Sequence, residues 1–310
     1  MKDVVIPPEL DGARVDKVVV QLVSGSSRAS VKRAIEDGRI WVNGRPRAKG
    51  AVVAAGEVLS YDESDLLSSD TPATPDPDAF LKVVLETKQL IVLDKPAGQP
   101  CAPIKVGEKG TLANALVAKY PELAGVGYNA REPGLVHRLD TDTSGLVLAA
   151  RTANAFEALR DALQSEKLVK SYLLVCESAN IPDEGDIQFP LANHPKDQKR
   201  VLACIHPRDV MRNAPRPALT RFTVEQRGPR FALVRAHAAK ALRHQIRAHF
   251  SAFGAPLAGD ALYGGPAIEG LTRHALHAAT LSLTSKAEPE FTFSATSELP
   301  EELARLLTLA

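Results

Sequence analysis

Apolar and polar positions over the first sixty residues change rhythm once, from a helical period to an alternating one. Val31, Ala34 and Ile35 recur at i, i+3 and i+4, one face of a helix that Ser27 can cap and Gly38 can close. Ile40-Trp41-Val42 then reads as a short strand. Asn43-Gly44 is the dipeptide favoured in tight hairpin turns, where both central residues need positive φ. Arg28, Lys32 and Arg33 avoid the apolar positions of the helix and so are expected on its exposed side; Arg39 precedes the strand, and Arg45 and Arg47 follow the turn.

Further along, Leu90-Ile91-Val92-Leu93 is a run of the buried-strand type that ends in a turn at Asp94-Lys95-Pro96-Ala97-Gly98. Asn154 followed by Glu157 offers a capping box for a helix carrying Phe156, Leu159 and Leu163 on one face. Residues 170–176 suit a strand, and Phe231 to Ala236 suit another, ahead of a helix expected from about Arg243 to Phe253. Strands in runs with helices set apart predict an α+β domain rather than alternating β-α units. Between the two parts, residues 62–78 are acidic and rich in Ser and Pro, a composition that buries little and opposes both helix and sheet. The expected organisation is a small α/β domain over 1–62, a linker over 63–79 and a larger domain over 80–310.

Composition narrows the classes. With 45% hydrophobic and 24% charged residues the chain can build an ordinary core. No apolar run approaches the ~18 residues that span a bilayer, and the start, Met1 to Pro8, meets two prolines before any long apolar stretch and does not read as a signal peptide. A cytoplasmic address is expected. Three scattered cysteines, Cys101, Cys176 and Cys204, give neither a disulfide framework nor a zinc cluster, and the eight histidines lack partners at ligand spacing, so no metal is expected. The net charge of +1 hides a segregation. Residues 28–49 hold seven basic side chains against two acidic ones, and residues 196–247 hold thirteen against three. Such separation can create basic surfaces on a nearly neutral protein, and equally a set of solvated faces.

Chemistry concentrates in residues 134–149, where two apolar stretches flank a loop holding His137, Arg138, Asp140, Asp142, Thr143, Ser144 and Gly145. A polar loop on strand supports is a common position for catalytic side chains. By chemistry alone Asp140 can be a nucleophile, a general base, or a turn residue bonded to nearby backbone N–H groups.

Two resemblances choose among these. Ser27-Arg28 with Gly38-Arg39-Ile40-Trp41-Val42-Asn43-Gly44, preceded by Arg14-Val15-Asp16-Lys17, resembles the S4 RNA-binding domain over residues 10–60. That implies RNA contacts by Arg28, Lys32, Arg33, Arg39 and Arg45. Gly134-Leu135-Val136-His137-Arg138-Leu139-Asp140-x-x-Thr143-Ser144-Gly145 matches, at every specified position, the signature of the RluA family of pseudouridine synthases. Lys95-Pro96-Ala97-Gly98, Lys170-Ser171-Tyr172, His244-Gln245-Ile246-Arg247-x-His249, Gly259-Asp260-x-x-Tyr263-Gly264 and Leu276-His277-Ala278 follow that family's order, so the resemblance covers residues 80–295. It implies a mixed, largely antiparallel sheet, and isomerisation of uridine in RNA without cofactor or metal. It also implies Asp140 as nucleophile, Arg247 as its counter-ion, Tyr172 packed on the target base, and Arg138 with His137 at the RNA. Asp260 reads as a turn residue outside the active set.

The sequence departs from the family before His244, where Lys240-Ala241-Leu242-Arg243 replaces a stretch that usually carries glycine and then arginine. An RNA-binding or ribosome-assembly factor with little catalysis is therefore the alternative expectation, and a hydrolase using Asp140 and His137 a distant third. Ribosomal RNA is the favoured substrate, transfer RNA the other family substrate, and a monomer the simplest state.

Overall fold

In the computed structural model of the chain, Asn43 and Gly44 adopt φ of 51° and 71°, the left-handed pair that a two-residue hairpin turn requires. The structure describes residues 1–23, 26, 28–48, 50–62, 66, 71–179, 181–197, 199–239 and 241–309. Ser27, Lys49, Lys240 and most of 63–70 lie outside the described residues, as does the side chain of Arg33. The chain divides into two units, Met1–Ala79 with Ala102–Pro133, and Phe80–Cys101 with Gly134–Ala310.

In the first unit, β1 (Lys2–Val5), β2 (Ile40–Val42), β3 (Arg45–Pro46) and β4 (Val58–Tyr61) form an antiparallel sheet in the order β1-β4-β2-β3. Helices Val15–Leu22 and Arg28–Glu36 contribute Val15, Val18, Val19, Val31 and Ile35 to one buried cluster with Ile40, Val42 and Leu59. The second helix stops as expected: Gly38 takes φ 70°, and the N–H of Arg39 donates to Ala34 O at 2.8 Å.

The expected linker does not hold over residues 71–79. Ala73 and Asp76 are buried, Ala73 N–H donates to Ala130 O, and Asp76 accepts from the N–H of Gly110 at 3.0 Å. Asn114 Nδ2 also donates to Thr74 O at 2.6 Å. Prolines deny this segment helix and sheet but leave its carbonyls and carboxylates free, and the excursion 102–133 with its Leu112–Lys119 helix supplies partners for them. Composition reports a lack of apolar burial, not a lack of hydrogen bonds.

In the second unit, nine strands make one sheet: β5 (Val83–Glu86), β6 (Leu90–Lys95), β7 (Ser144–Ala150), β8 (Val169–Glu177), β9 (Glu184–Ile187), β12 (Thr220–Arg227), β13 (Phe231–His237), β14 (Leu276–Leu283) and β15 (Phe293–Thr296), with a separate pair, β10 (Leu191–Asn193) and β11 (Val201–Ala203). The order is β5-β6-β7-β14-β8-β13-β12-β9, with β15 beside β14. Only β7–β14 is parallel among these pairs. This is an α+β unit with a mixed, largely antiparallel sheet. Strand β14 enters the middle of the sheet between β7 and β8, so residues near 145 and near 277, distant in sequence, become neighbours.

Gly145 makes that junction possible. Its φ is 108°, and a Cβ placed there would lie 2.2 Å from the carbonyl oxygen of Ala278. The helix after β7, Ala153–Gln164, is capped by Thr152 rather than Asn154: Thr152 is the last residue in extended conformation, and its Oγ1 accepts from Ala155 N–H at 3.1 Å. The helix expected from about Arg243 is Gln245–Phe253, set against the sheet by Phe222, whose ring meets those of Phe250 and Phe253 at 5.4 and 5.6 Å.

Candidate active site

The loop carrying Asp140 is held by its own backbone carbonyls. Lys95, almost fully buried at the end of β6, donates through Nζ to Pro96 O, Gln99 O and Thr141 O at 2.8, 2.8 and 2.9 Å. Gly98 N–H donates to Thr141 O as well, at 2.9 Å. Cys101 Sγ takes the N–H of Leu139 at 3.3 Å and faces Leu139 O at 3.4 Å, while Arg273 Nη1 donates to Asp142 O at 3.2 Å. Burial pushes the Lys95 ammonium down to about 8, with Cys101, Asp142 and Asp140 opposing the shift. Three carbonyl acceptors satisfy all three of its donors.

Behind the loop, Thr143 Oγ1 pairs with His274 Nε2 at 2.8 Å and Ser144 Oγ with His277 Nδ1 at 2.9 Å. Burial lowers the pKa of both imidazoles, His274 to about 4, so both are neutral at pH 7. The hydroxyls of the Thr-Ser-Gly sequence thus tie the loop to the segment entering β14, and the glycine gives the room for it.

Asp140 itself is partly open. Arg247 Nη1 donates to its Oδ2 at 2.9 Å, and His244 Nε2 lies 3.7 Å from the same oxygen. Arg247 is buried, and its remaining donors are directed at Asp260: Nε to Oδ2 at 2.7 Å and Nη2 to Oδ1 at 2.9 Å. Burial alone would lower the guanidinium's pKa, but the bonds and charge of Asp260, joined by Asp140, outweigh it and raise the value further. The Asp260 side chain is fully enclosed, at 0% exposure, and has no bulk water to replace this partner. Arg247 also stands over the ring of Tyr263, Cζ 5.1 Å from the centroid.

These groups surround a small cleft, open to solvent and lined by Arg138, Asp140, Tyr172, His244, Arg247 and the apolar Leu139, Ile246 and Leu276 among others. Burial, then the charge of Asp140, raises the Tyr172 pKa, so its phenol stays protonated and the residue offers a neutral aromatic ring.

Of the residues expected at the site, Asp140, Tyr172, Arg247 and Arg138 come together. His137 does not join them as an RNA contact: its Nε2 accepts from Leu148 N–H at 3.2 Å, and burial pushes its pKa down to about 3. Arg138, the next residue, is exposed. Asp260 does form a turn, accepting through its carbonyl from Tyr263 and Gly265 N–H, but its side chain belongs to the cluster of polar groups around Arg247 and Asp140. His244 and Tyr263 belong there too. All three stand in motifs legible in the sequence; their roles were not, because each depends on a partner from another element.

In the first unit Arg28 and Lys32 line a cleft together with Lys17 of the preceding helix and Arg14 just before it. Arg14 is engaged by Asp16 at 3.0 and 2.8 Å. Arg39 is exposed beside Asp37 at 2.7 Å, and Arg45 is exposed on β3. Among the described residues no group of three or more His, Cys, Asp or Glu can hold a metal ion, and no helix is long and apolar enough to cross a membrane. The three cysteines are free and buried.

A family model described as RNA pseudouridylate synthase matches residues 89–252, and an S4 domain model matches residues 13–59. The chain is 31% identical to the ribosomal large subunit pseudouridine synthase D of Xanthomonas campestris, over 99% of this chain and 92% of that protein. It is 32% identical to the protein of the same name from Pseudomonas aeruginosa, over 98% and 94%. A solved structure titled Human RNA Pseudouridylate Synthase Domain Containing 1 shares the fold, with a TM-score of 0.56 at 20% identity over 74% of this chain and 88% of that one.

Proposed function

The chain belongs to the RNA pseudouridylate synthase family, whose reaction is the isomerisation of uridine in RNA, and we propose that it acts on large-subunit ribosomal RNA with Asp140 as the nucleophile. The reaction breaks the N1–C1′ bond, turns the base and joins C5 to C1′. C5 loses its proton and N1 gains one, so mass and oxidation state are unchanged.

The observation that carries this reading is the 2.9 Å contact between Arg247 and Asp140 at the wall of a cleft that also holds Tyr172. A base drawn into such a cleft removes water from the carboxylate; a guanidinium already in contact offsets that loss with an opposite charge. The Tyr172 ring gives the extruded base a surface to pack on, and extrusion costs on the order of a few kcal/mol that such contacts offset. Arg138, exposed at the rim, is suited to the RNA around the vacated position. Arg28, Lys32, Arg39 and Arg45 are suited to phosphates, which position RNA without reading its sequence. Ribosomal RNA is favoured because the relatives are named for it. The cytoplasm and a monomeric state complete the reading.

Pseudouridine mapping of total RNA from cells lacking the protein tests it, with complementation by wild type or Asp140→Ala. One or a few large-subunit sites should vanish and return only with wild type. Recovery with Asp140→Ala would refute the nucleophile assignment, and no change at any site would favour an RNA-binding role.

A further inference from the structure

His244 occupies a costly conformation. It lies immediately before the Gln245–Phe253 helix with φ 53°, and Ala241, three residues earlier, has φ 40°. Left-handed backbone in two non-glycine residues of one short loop is strain that the surroundings must hold in place. Here it points the His244 ring into the cleft, edge-on to Tyr263 with centroids 5.8 Å apart and planes at 86°.

Both ring nitrogens are addressed. Tyr263 Oη lies 3.0 Å from His244 Nδ1 and accepts from the backbone N–H of Val201 at 2.9 Å. With that acceptor position used, the phenol proton is available to Nδ1. The opposite nitrogen, Nε2, faces the Asp140 carboxylate at 3.7 Å, where a lone pair would be repelled and an N–H attracted. Both ends of the ring therefore favour one tautomer, with the proton on Nε2. Burial lowers the imidazole pKa against the pull of Asp140, consistent with a neutral ring.

We propose that His244 is a positioning residue for Asp140: fixed in the Nε2–H form by the Tyr263 hydroxyl, it shares Oδ2 with Arg247 and leaves Oδ1 as the oxygen presented to substrate. The inference rests on the reading of Asp140 as nucleophile. Among the described residues no side chain bonds to Oδ1, whereas Oδ2 meets two cationic or N–H groups on one side. Tyr263 supports both, through its hydroxyl to His244 and its ring face to Arg247. The 3.7 Å separation is open enough to shorten when the cleft fills, as hydrogen bonds at active sites often do.

The test combines histidine 15N NMR of the whole protein with single-turnover kinetics, reading tritium release from a C5-tritiated large-subunit RNA transcript at saturating enzyme. In the wild type, His244 should carry its proton on Nε2, and Tyr263→Phe, which keeps the ring, should abolish that preference. Tyr263→Phe and His244→Asn, the latter tolerant of the left-handed backbone, should each slow the saturated rate about tenfold, with half-saturation nearly unchanged. The double variant should be no slower than either, and His244→Gln, whose amide reaches towards the Nε2 position, should recover part of the loss. A wild-type proton on Nδ1, or effects that multiply in the double variant, would overturn the proposal. Asp140→Ala that still releases tritium would instead remove the nucleophile reading, and the tautomer measurement stands apart from it.

Discussion

Arg247 and Asp260 form a closed pair, two hydrogen bonds of 2.7 and 2.9 Å between side chains that are 7% and 0% exposed. The pair is not isolated, because the third arm of the same guanidinium reaches Asp140. One carboxylate fixes the cation and the other, on the cleft side, uses it. Asp260 thereby sets where the charge stands without lining the cleft.

Removing Asp260 should therefore damage both stability and activity. Breaking a buried pair leaves a charge without its partner, at a cost of about 3–5 kcal/mol. Asp260→Ala should lower the denaturant midpoint accordingly and slow isomerisation. Asp140→Ala, at a site 24% exposed, should abolish turnover with a much smaller loss of stability. Urea unfolding of the two variants beside single-turnover assays checks the contrast; equal stability losses would contradict it.

Acid should destabilise the fold in the range where histidines charge. Burial holds His137 at about 3 and His274 at about 4, and lowers His237, His244, His249 and His277 as well. These folded values lie below the unfolded value of about 6.5, so below that pH the unfolded chain binds more protons. The stabilisation is complete above pH 6.5 and is lost as pH falls towards 4 and then 3. Each of His137 and His274 contributes roughly 1.4 kcal/mol per pH unit between those limits. Urea midpoints at pH 7.5, 6 and 5 should fall steadily, and His274→Gln should flatten the trend.

Gly145→Ala should be more harmful than its one added methyl suggests. The Cβ would lie 2.2 Å from Ala278 O and 2.7 Å from Ala278 N, backbone atoms of a central strand that cannot yield as a side chain can. The φ of 108° adds strain of its own. Protein that folds should show a large drop in melting temperature and little isomerisation, because β7 and the loop before it must move. Near-normal melting would show that the β7–β14 approach is looser.

Charge reversal in the first unit should separate binding from chemistry. Arg28→Glu with Lys32→Glu, both on the exposed side of the Arg28–Glu36 helix, should weaken RNA binding and reduce its dependence on salt. The single-turnover rate at saturating enzyme should stay within about twofold, since phosphate contacts position RNA rather than reacting with it. A fall in the saturated rate comparable to the fall in affinity would contradict this division.

Local structure and the position of the polar loop around Asp140 were legible along the chain. The period of Val31, Ala34 and Ile35, the Asn43-Gly44 turn and the buried runs at β6, β8 and β13 follow from short-range sterics and burial, which a linear pattern records. So does the juxtaposition of Arg138, Leu139 and Asp140 with Thr143, Ser144 and Gly145. Family resemblance added Tyr172 and Arg247. Long-range packing set what remained. Asp260 has the sequence of a turn and makes one, yet its side chain anchors Arg247 because the Gln245–Phe253 helix lies against that turn. Thr143 and Ser144 find His274 and His277 because β14 enters the sheet beside β7. Residues 71–79 look like a linker and are instead bonded to 102–133. Hydrophobic periodicity tells each segment which face to bury, but a hydrogen bond between polar groups over a hundred residues apart leaves no periodic trace; it exists only once packing has brought both ends together.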